Sequence, residues 1–145
     1  MKKLVFLAVF SCFVAGAKAQ FTIVNTSTTS LIEPRTGAWP LDLQRIIKES
    51  DTCYVLSFRD QQYTSSVNMS TLRFANTVQL RYLEQALTIL KKGHDGDVAK
   101  FKDFSVKRSE AKKADVWYIL TCTSGEITNF QQPEADKMVA AIHVL

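Results

Sequence analysis

The sequence predicts an α+β domain: a mostly antiparallel sheet with two amphipathic helices packed on one face, arranged as two ββ(β)α units, plus a short N-terminal helix. Three observations carry that expectation. Leu80, Leu83, Leu87 and Leu90 recur at helical spacing, with Tyr82 and Ala86 widening the stripe. Near the end of the chain Ala135, Met138, Val139 and Ile142 repeat the pattern on a second segment. Before each helix lie short runs, TCYVLSF and VWYILTC, whose β-branched and aromatic content argues for strands.

The stretch Ser70 to Gly93 is the most consistent locally. Leu72 and Phe74 alternate with polar neighbours as a strand does, and Asn76 stands three residues before Gln79 as a cap and its reciprocal partner. Lys91 and Lys92 complement the negative end of the helix dipole, and Gly93 is expected to take the left-handed conformation that ends the helix.

In chain order, Phe21 to Val24 reads as a possible edge strand and Asn25 to Ser30 as a polar loop or frayed arm, so residues 20–38 form a flexible arm before a globular domain at 39–145. Pro40 opens a short helix with Leu43, Ile46 and Ile47 on one side, ended by Ser50 and Asp51. Cys53 to Arg59 is a central strand, Asp60 to Gln62 a turn, and Tyr63 to Val67 a returning strand. Past the main helix, His94 to Asp97 turns the chain and Val98 to Arg108 is one strand with a charged outer face. Asp95, Asp97 and Asp103 lack the ordered ligand series of a calcium loop. Val116 to Cys122 is the most apolar strand, Glu126 to Phe130 a further one, and Pro133 with Glu134 opens the last helix.

Residues 1–19 read as a cleaved signal peptide. Lys2 and Lys3 precede an apolar run from Leu4 to Val14, and Ala17-Lys18-Ala19 gives the small-x-small cleavage pattern. Bulky Val9 and Phe10 before Cys12 argue against lipidation there, and no stretch approaches the roughly 20 apolar residues of a membrane span. The expected location is therefore periplasmic or secreted, without a membrane anchor. Asn25-Thr26-Ser27 and Asn68-Met69-Ser70 match a glycosylation pattern, to which a leader of bacterial appearance gives no use.

Cleavage changes the charge. The whole chain holds 18 basic and 14 acidic residues, but Lys2, Lys3 and Lys18 leave with the leader, so the remainder has 15 basic against 14 acidic. The charge that stays is uneven, with eight basic residues against four acidic between Lys91 and Lys113. Lys100, Lys102, Lys107, Arg108, Lys112 and Lys113, with Phe101 and Phe104 interleaved, are the candidate site for an anionic partner: a glycan, lipopolysaccharide or single-stranded nucleic acid. The same residues also fit an ordinary solvated surface.

Cys53 and Cys122 are the two cysteines left after cleavage. An exported chain permits a disulfide between them, whose loop of about 70 residues corresponds to roughly 4 kcal/mol by chain entropy. The alternative is two buried free thiols packing as small apolar groups. His94 and His143 lack ligand spacing with either cysteine, so no metal site is expected.

The glycines form no phosphate-cradling motif, both histidines fall at the ends of elements, and Ser65 and Ser66 have no visible base. The expectation is a non-enzymatic domain without a cofactor. It binds another macromolecule as an inhibitor, immunity or accessory protein, through an edge strand or the Asn25 to Ala38 arm. A protein is a better-supported partner than nucleic acid.

Overall fold

The computed structural model describes residues 25–63, 65–111 and 115–145. The leader and the Phe21 to Val24 segment lie outside the described residues. Within them, two halves each run as four strands followed by a helix: β1 Thr26–Ser30, β2 Leu41–Lys48, β3 Asp51–Arg59, β4 Met69–Phe74 and α1 Thr77–Lys91, then β5 Val98–Lys100, β6 Phe104–Glu110, β7 Val116–Cys122, β8 Ile127–Gln131 and α2 Gln132–His143. The strands form two antiparallel sheets, ordered β1-β2-β3-β4 and β5-β6-β7-β8. This is the expected α+β class with paired units, each extended to ββββα and each with its own hydrogen-bonded sheet.

The two halves turn their strands into helices alike. Phe74 and Phe130 are buried at the ends of β4 and β8, and each helix starts within three residues. Asn76 caps α1 by accepting from the Gln79 N–H at 3.0 Å, while the Gln79 side chain accepts from the Ala75 N–H at 2.7 Å. At α2, Gln131 and Glu134 form a capping box with Pro133 in the first turn. Gly93 has no positive φ; its role is space, because an added Cβ would lie 2.6 Å from Asp97 Oδ2, the acceptor of the His94 N–H. The left-handed residue after α1 is Gly96, with φ 88°.

Both helices belong to one core. Leu80, Leu83, Leu87 and Leu90 of α1 and Ala135, Met138 and Ile142 of α2 join Leu41, Leu43, Tyr54, Leu56 and Phe58 of the first sheet and Val106, Tyr118, Leu120 and Phe130 of the second in one buried cluster. The helices pack antiparallel: Lys91 at the end of α1 bonds Asp136 at 2.8 Å, and His143 at the end of α2 meets Glu84 at 3.0 Å. Away from the helices the halves are joined by buried Asp60, whose Oδ1 accepts from the backbone N–H groups of Gln62 and Ile127, each at 3.1 Å. The Gln61 N–H donates to Ile127 O at 2.8 Å beside it. Arg35 fastens the other side, donating to Glu134 Oε1 at 2.7 Å and to Asn129 O at 3.2 Å.

The segment expected as a short helix is strand β2. Leu43, Ile46 and Ile47 satisfy helical spacing, but Leu41 and Leu43 are buried at a period of two and the whole segment pairs with β3 from Leu41↔Phe58 to Lys48↔Asp51. Pairing along eight residues with a hairpin neighbour outweighs a weak helical stripe carrying two consecutive isoleucines. The polar run Thr26–Ser30 is edge strand β1, since threonine suits a pleated edge even with every side chain exposed. Residues of the expected Tyr63 to Val67 strand are irregular where described, and the returning strand begins at Met69. Val98 to Arg108 is a hairpin, closed by the Phe101 N–H donating to Phe104 O at 2.8 Å.

Candidate functional site

The six candidate basic residues do not share one face. β6 alternates, with Val106 and Arg108 buried and Lys107 exposed, so Lys107 and Arg108 point to opposite sides of the sheet. Arg108 runs under α1, where Nη1 donates to Leu90 O at 2.9 Å and Lys91 O at 2.8 Å, while Nη2 holds Glu110 Oε1 at 2.5 Å. It is the C-terminal cap of α1, with a cation placed at the negative end of the helix. Lys100 and Lys107 lie on the outer side of the second sheet, and Lys102 in the β5–β6 turn. Lys112 and Lys113 lie outside the described residues.

Both Cys53 and Cys122 are free thiols. Their strands explain why. In β3 the buried residues are Tyr54, Leu56 and Phe58, so Cys53 points to the outer side of the first sheet. Cys122 is buried in β7 on the same side as Tyr118 and Leu120, facing the core from the second sheet. Burial pushes the Cys122 thiol up to about 11, with Glu126 and Asp60 adding to the effect. The histidines are at the surface: His94 is 3.9 Å from Asp97, and His143 pairs with Glu84.

Two other places gather groups suited to binding. One is an apolar patch at the end of the first sheet. Trp39 is 41 % exposed, Met69 53 % and Val67 68 %, and Arg59 ties them together. Its guanidinium lies 4.6 Å from the Trp39 ring centroid, Nη1 donates to Ala38 O at 2.8 Å and Nη2 to Ser66 O at 3.3 Å, and Met69 is its cross-strand partner. Tyr63, half exposed, comes from the same 60–68 connection as Val67. Tryptophan, tyrosine, methionine and arginine are the side chains enriched where proteins dock, since each offers a large contact area together with a polar or polarizable group.

The second place is a cleft of about 360 Å³ between β4, α1 and the β5–β6 turn, lined by Arg73, Gln79, Tyr82, Phe101, Lys102 and neighbours. Its floor is a column of rings: Tyr82 stacks on Phe101 at 5.4 Å, Phe101 on Phe104 at 5.1 Å, and Phe74 meets Phe104 edge-on at 5.9 Å. Phe104 is buried, so of the two phenylalanines interleaved with the lysines only Phe101 borders solvent.

Sequence reasoning reached Lys102 and Phe101 through the charge run and missed the patch. The available signal was Trp39, a large apolar residue between Gly37 and Pro40 in a segment of turn composition with no periodicity to explain it. Comparisons with protein-family models, with curated proteins and with solved structures return no match to this chain.

Proposed function

We propose that this chain is a small exported, non-enzymatic binding protein of the inhibitor, immunity or accessory kind, and that its partner is another protein. The patch of Trp39, Met69 and Val67 around Arg59 is the observation that supports this reading. An exposed indole held by a guanidinium whose two Nη groups are bonded to Ala38 O and Ser66 O is pre-ordered, so docking on it costs little side-chain entropy. The export half of the proposal rests on the basic, apolar and small-x-small segments at the start of the sequence. A charge-led reading keeps Lys100, Lys102 and Lys107 but loses Arg108 to the helix cap.

The test is capture from an extract of the source cells by residues 20–145, beside two variants: Trp39→Ala with Met69→Asp, and Lys100→Glu with Lys107→Glu. One protein should be retained by the wild type and the lysine variant, from about 0.05 M to about 0.5 M salt, and lost from the patch variant. Loss from the lysine variant alone, with steep weakening by salt, would replace this proposal with the anionic-partner reading.

A further inference from the structure

We propose that the cleft between β4, α1 and the β5–β6 turn is a binding site for a small planar aromatic anion, of the aryl carboxylate class. This site is separate from the protein-docking patch and does not depend on it. Its shape asks for a flat apolar group. Tyr82 has one ring face on Phe101, with the two planes inclined by 20°, yet the residue remains 42 % exposed. A ring laid against Tyr82 continues the column that already runs through Phe101 and Phe104 to Phe74.

The charge of the ligand follows from the rim. Arg73, on edge strand β4, borders both this cleft and the outer groove of the first sheet beside Cys53, Lys102 lies in the turn, both are exposed, and neither takes part in any ion pair among the described residues. Asp103 is the one acidic residue of the lining, which leaves two cations against one carboxylate. Arg73 offers a planar fork matching a carboxylate, and Lys102 a mobile point charge beside it. Gln79, which also lines the cleft, uses its Oε1 to hold the Ala75 N–H, so its amide group is fixed with the NH₂ left as a donor. Stacking surface, two cations and a fixed amide donor together select an aromatic acid over a neutral or cationic ring.

The experiment titrates residues 20–145 with 2-naphthoate by calorimetry and by NMR, beside 2-naphthamide and 2-naphthylmethylammonium. The expected result is saturable one-to-one binding of naphthoate below about 1 mM, with the amide and the ammonium compound weaker by about tenfold or more. Tyr82→Ala and the double variant Arg73→Gln, Lys102→Gln should each weaken naphthoate about tenfold, Tyr82→Phe should leave it unchanged, and Asp103→Asn should tighten it severalfold. The tightening separates a ligand-facing carboxylate from a merely structural one. Arg73, Lys102 and Asp103 are exposed, so their variants should keep the wild-type urea midpoint, whereas Tyr82→Ala gives up the stack on Phe101 and should lower it by the equivalent of about 1 kcal/mol, well short of unfolding the chain. No saturation by about 10 mM, equal affinity for the neutral amide, or indifference to Tyr82→Ala would each overturn the assignment.

Discussion

Replacing Arg108 with methionine keeps an unbranched stem of similar girth in the core and removes the guanidinium that closes α1. The loss can be worked from its bonds. Lys91 O loses the Nη1 bond of 2.8 Å, and Leu90 O loses the 2.9 Å bond but keeps the Gly93 N–H at 3.0 Å, so one carbonyl is stripped and one halved. A hydrogen bond to a charged group contributes about 1.5–3 kcal/mol, and a cation at a helix C-terminus about 0.3–1 kcal/mol. Part of this is returned, because Glu110 is 42 % exposed and rehydrates when its partner leaves. The net expectation is a destabilisation of about 2–3 kcal/mol, a sizeable share of the 5–15 kcal/mol that holds a domain of this size. Urea unfolding followed by tryptophan fluorescence and far-ultraviolet circular dichroism reads it as a lower midpoint at unchanged slope. Lys107→Ala, on the opposite side of the same strand, is the control and should stay within about 0.5 kcal/mol. If Lys107→Ala costs as much as Arg108→Met, or if neither moves the midpoint, then Arg108 is not a cap and belongs again with the surface basic residues.

Four further outcomes are expected. In native residues 20–145 an aromatic disulfide reagent should label one thiol quickly, Cys53, and reach Cys122 only as the fold opens; two fast equivalents, or none, would contradict the free and oppositely facing thiols. The Cys122 thiol is raised from 9.0 to about 11 in the fold, so its contribution is complete below pH 9 and lost as pH rises toward 11; the stability gap between wild type and Cys122→Ala should therefore narrow across that window. Asp60→Ala strips the shared acceptor from two backbone N–H groups and should cost about 2–3 kcal/mol, whereas Glu49→Gly, at the one described non-glycine residue with positive φ (55°), should be neutral or stabilising by up to about 1 kcal/mol.

The parts of the fold that were legible are those decided locally. In α1 the cap at Asn76, the leucine stripe and the terminal lysines all lie within one segment, and the helix runs Thr77–Lys91 as those signals require. For α2 the capping residues and Pro133 did the same. Strand β2 was misread because its state depends on β3: a stripe of Leu43, Ile46 and Ile47 satisfies a helix until Cys53 to Phe58 is folded beside it. Gly93 shows a similar limit, since what demands glycine there is the Asp97 carboxylate four residues on. At the site level, counting charges treated Lys107 and Arg108 as equals. Strand alternation separates them, leaving one in solvent and taking the other beneath a helix end. Trp39, Arg59 and Met69 are scattered through thirty residues of sequence, and only the β3–β4 register and the packing of Trp39 over Arg59 make them neighbours. No local pattern encodes that meeting.

Docking of a protein on the Trp39–Arg59–Met69 patch is the proposal on which the functional reading turns. Its most direct test places a photo-activated cross-linking amino acid at position 69, at position 67 or, as a control on the outer side of the second sheet, at position 107, in the full chain expressed in its source cells. The expected result is an adduct to the same single protein from positions 67 and 69, abolished by Trp39→Ala, and none from position 107. Adducts from position 107 alone, or none from 67 and 69 while the chain is folded and present, would contradict it.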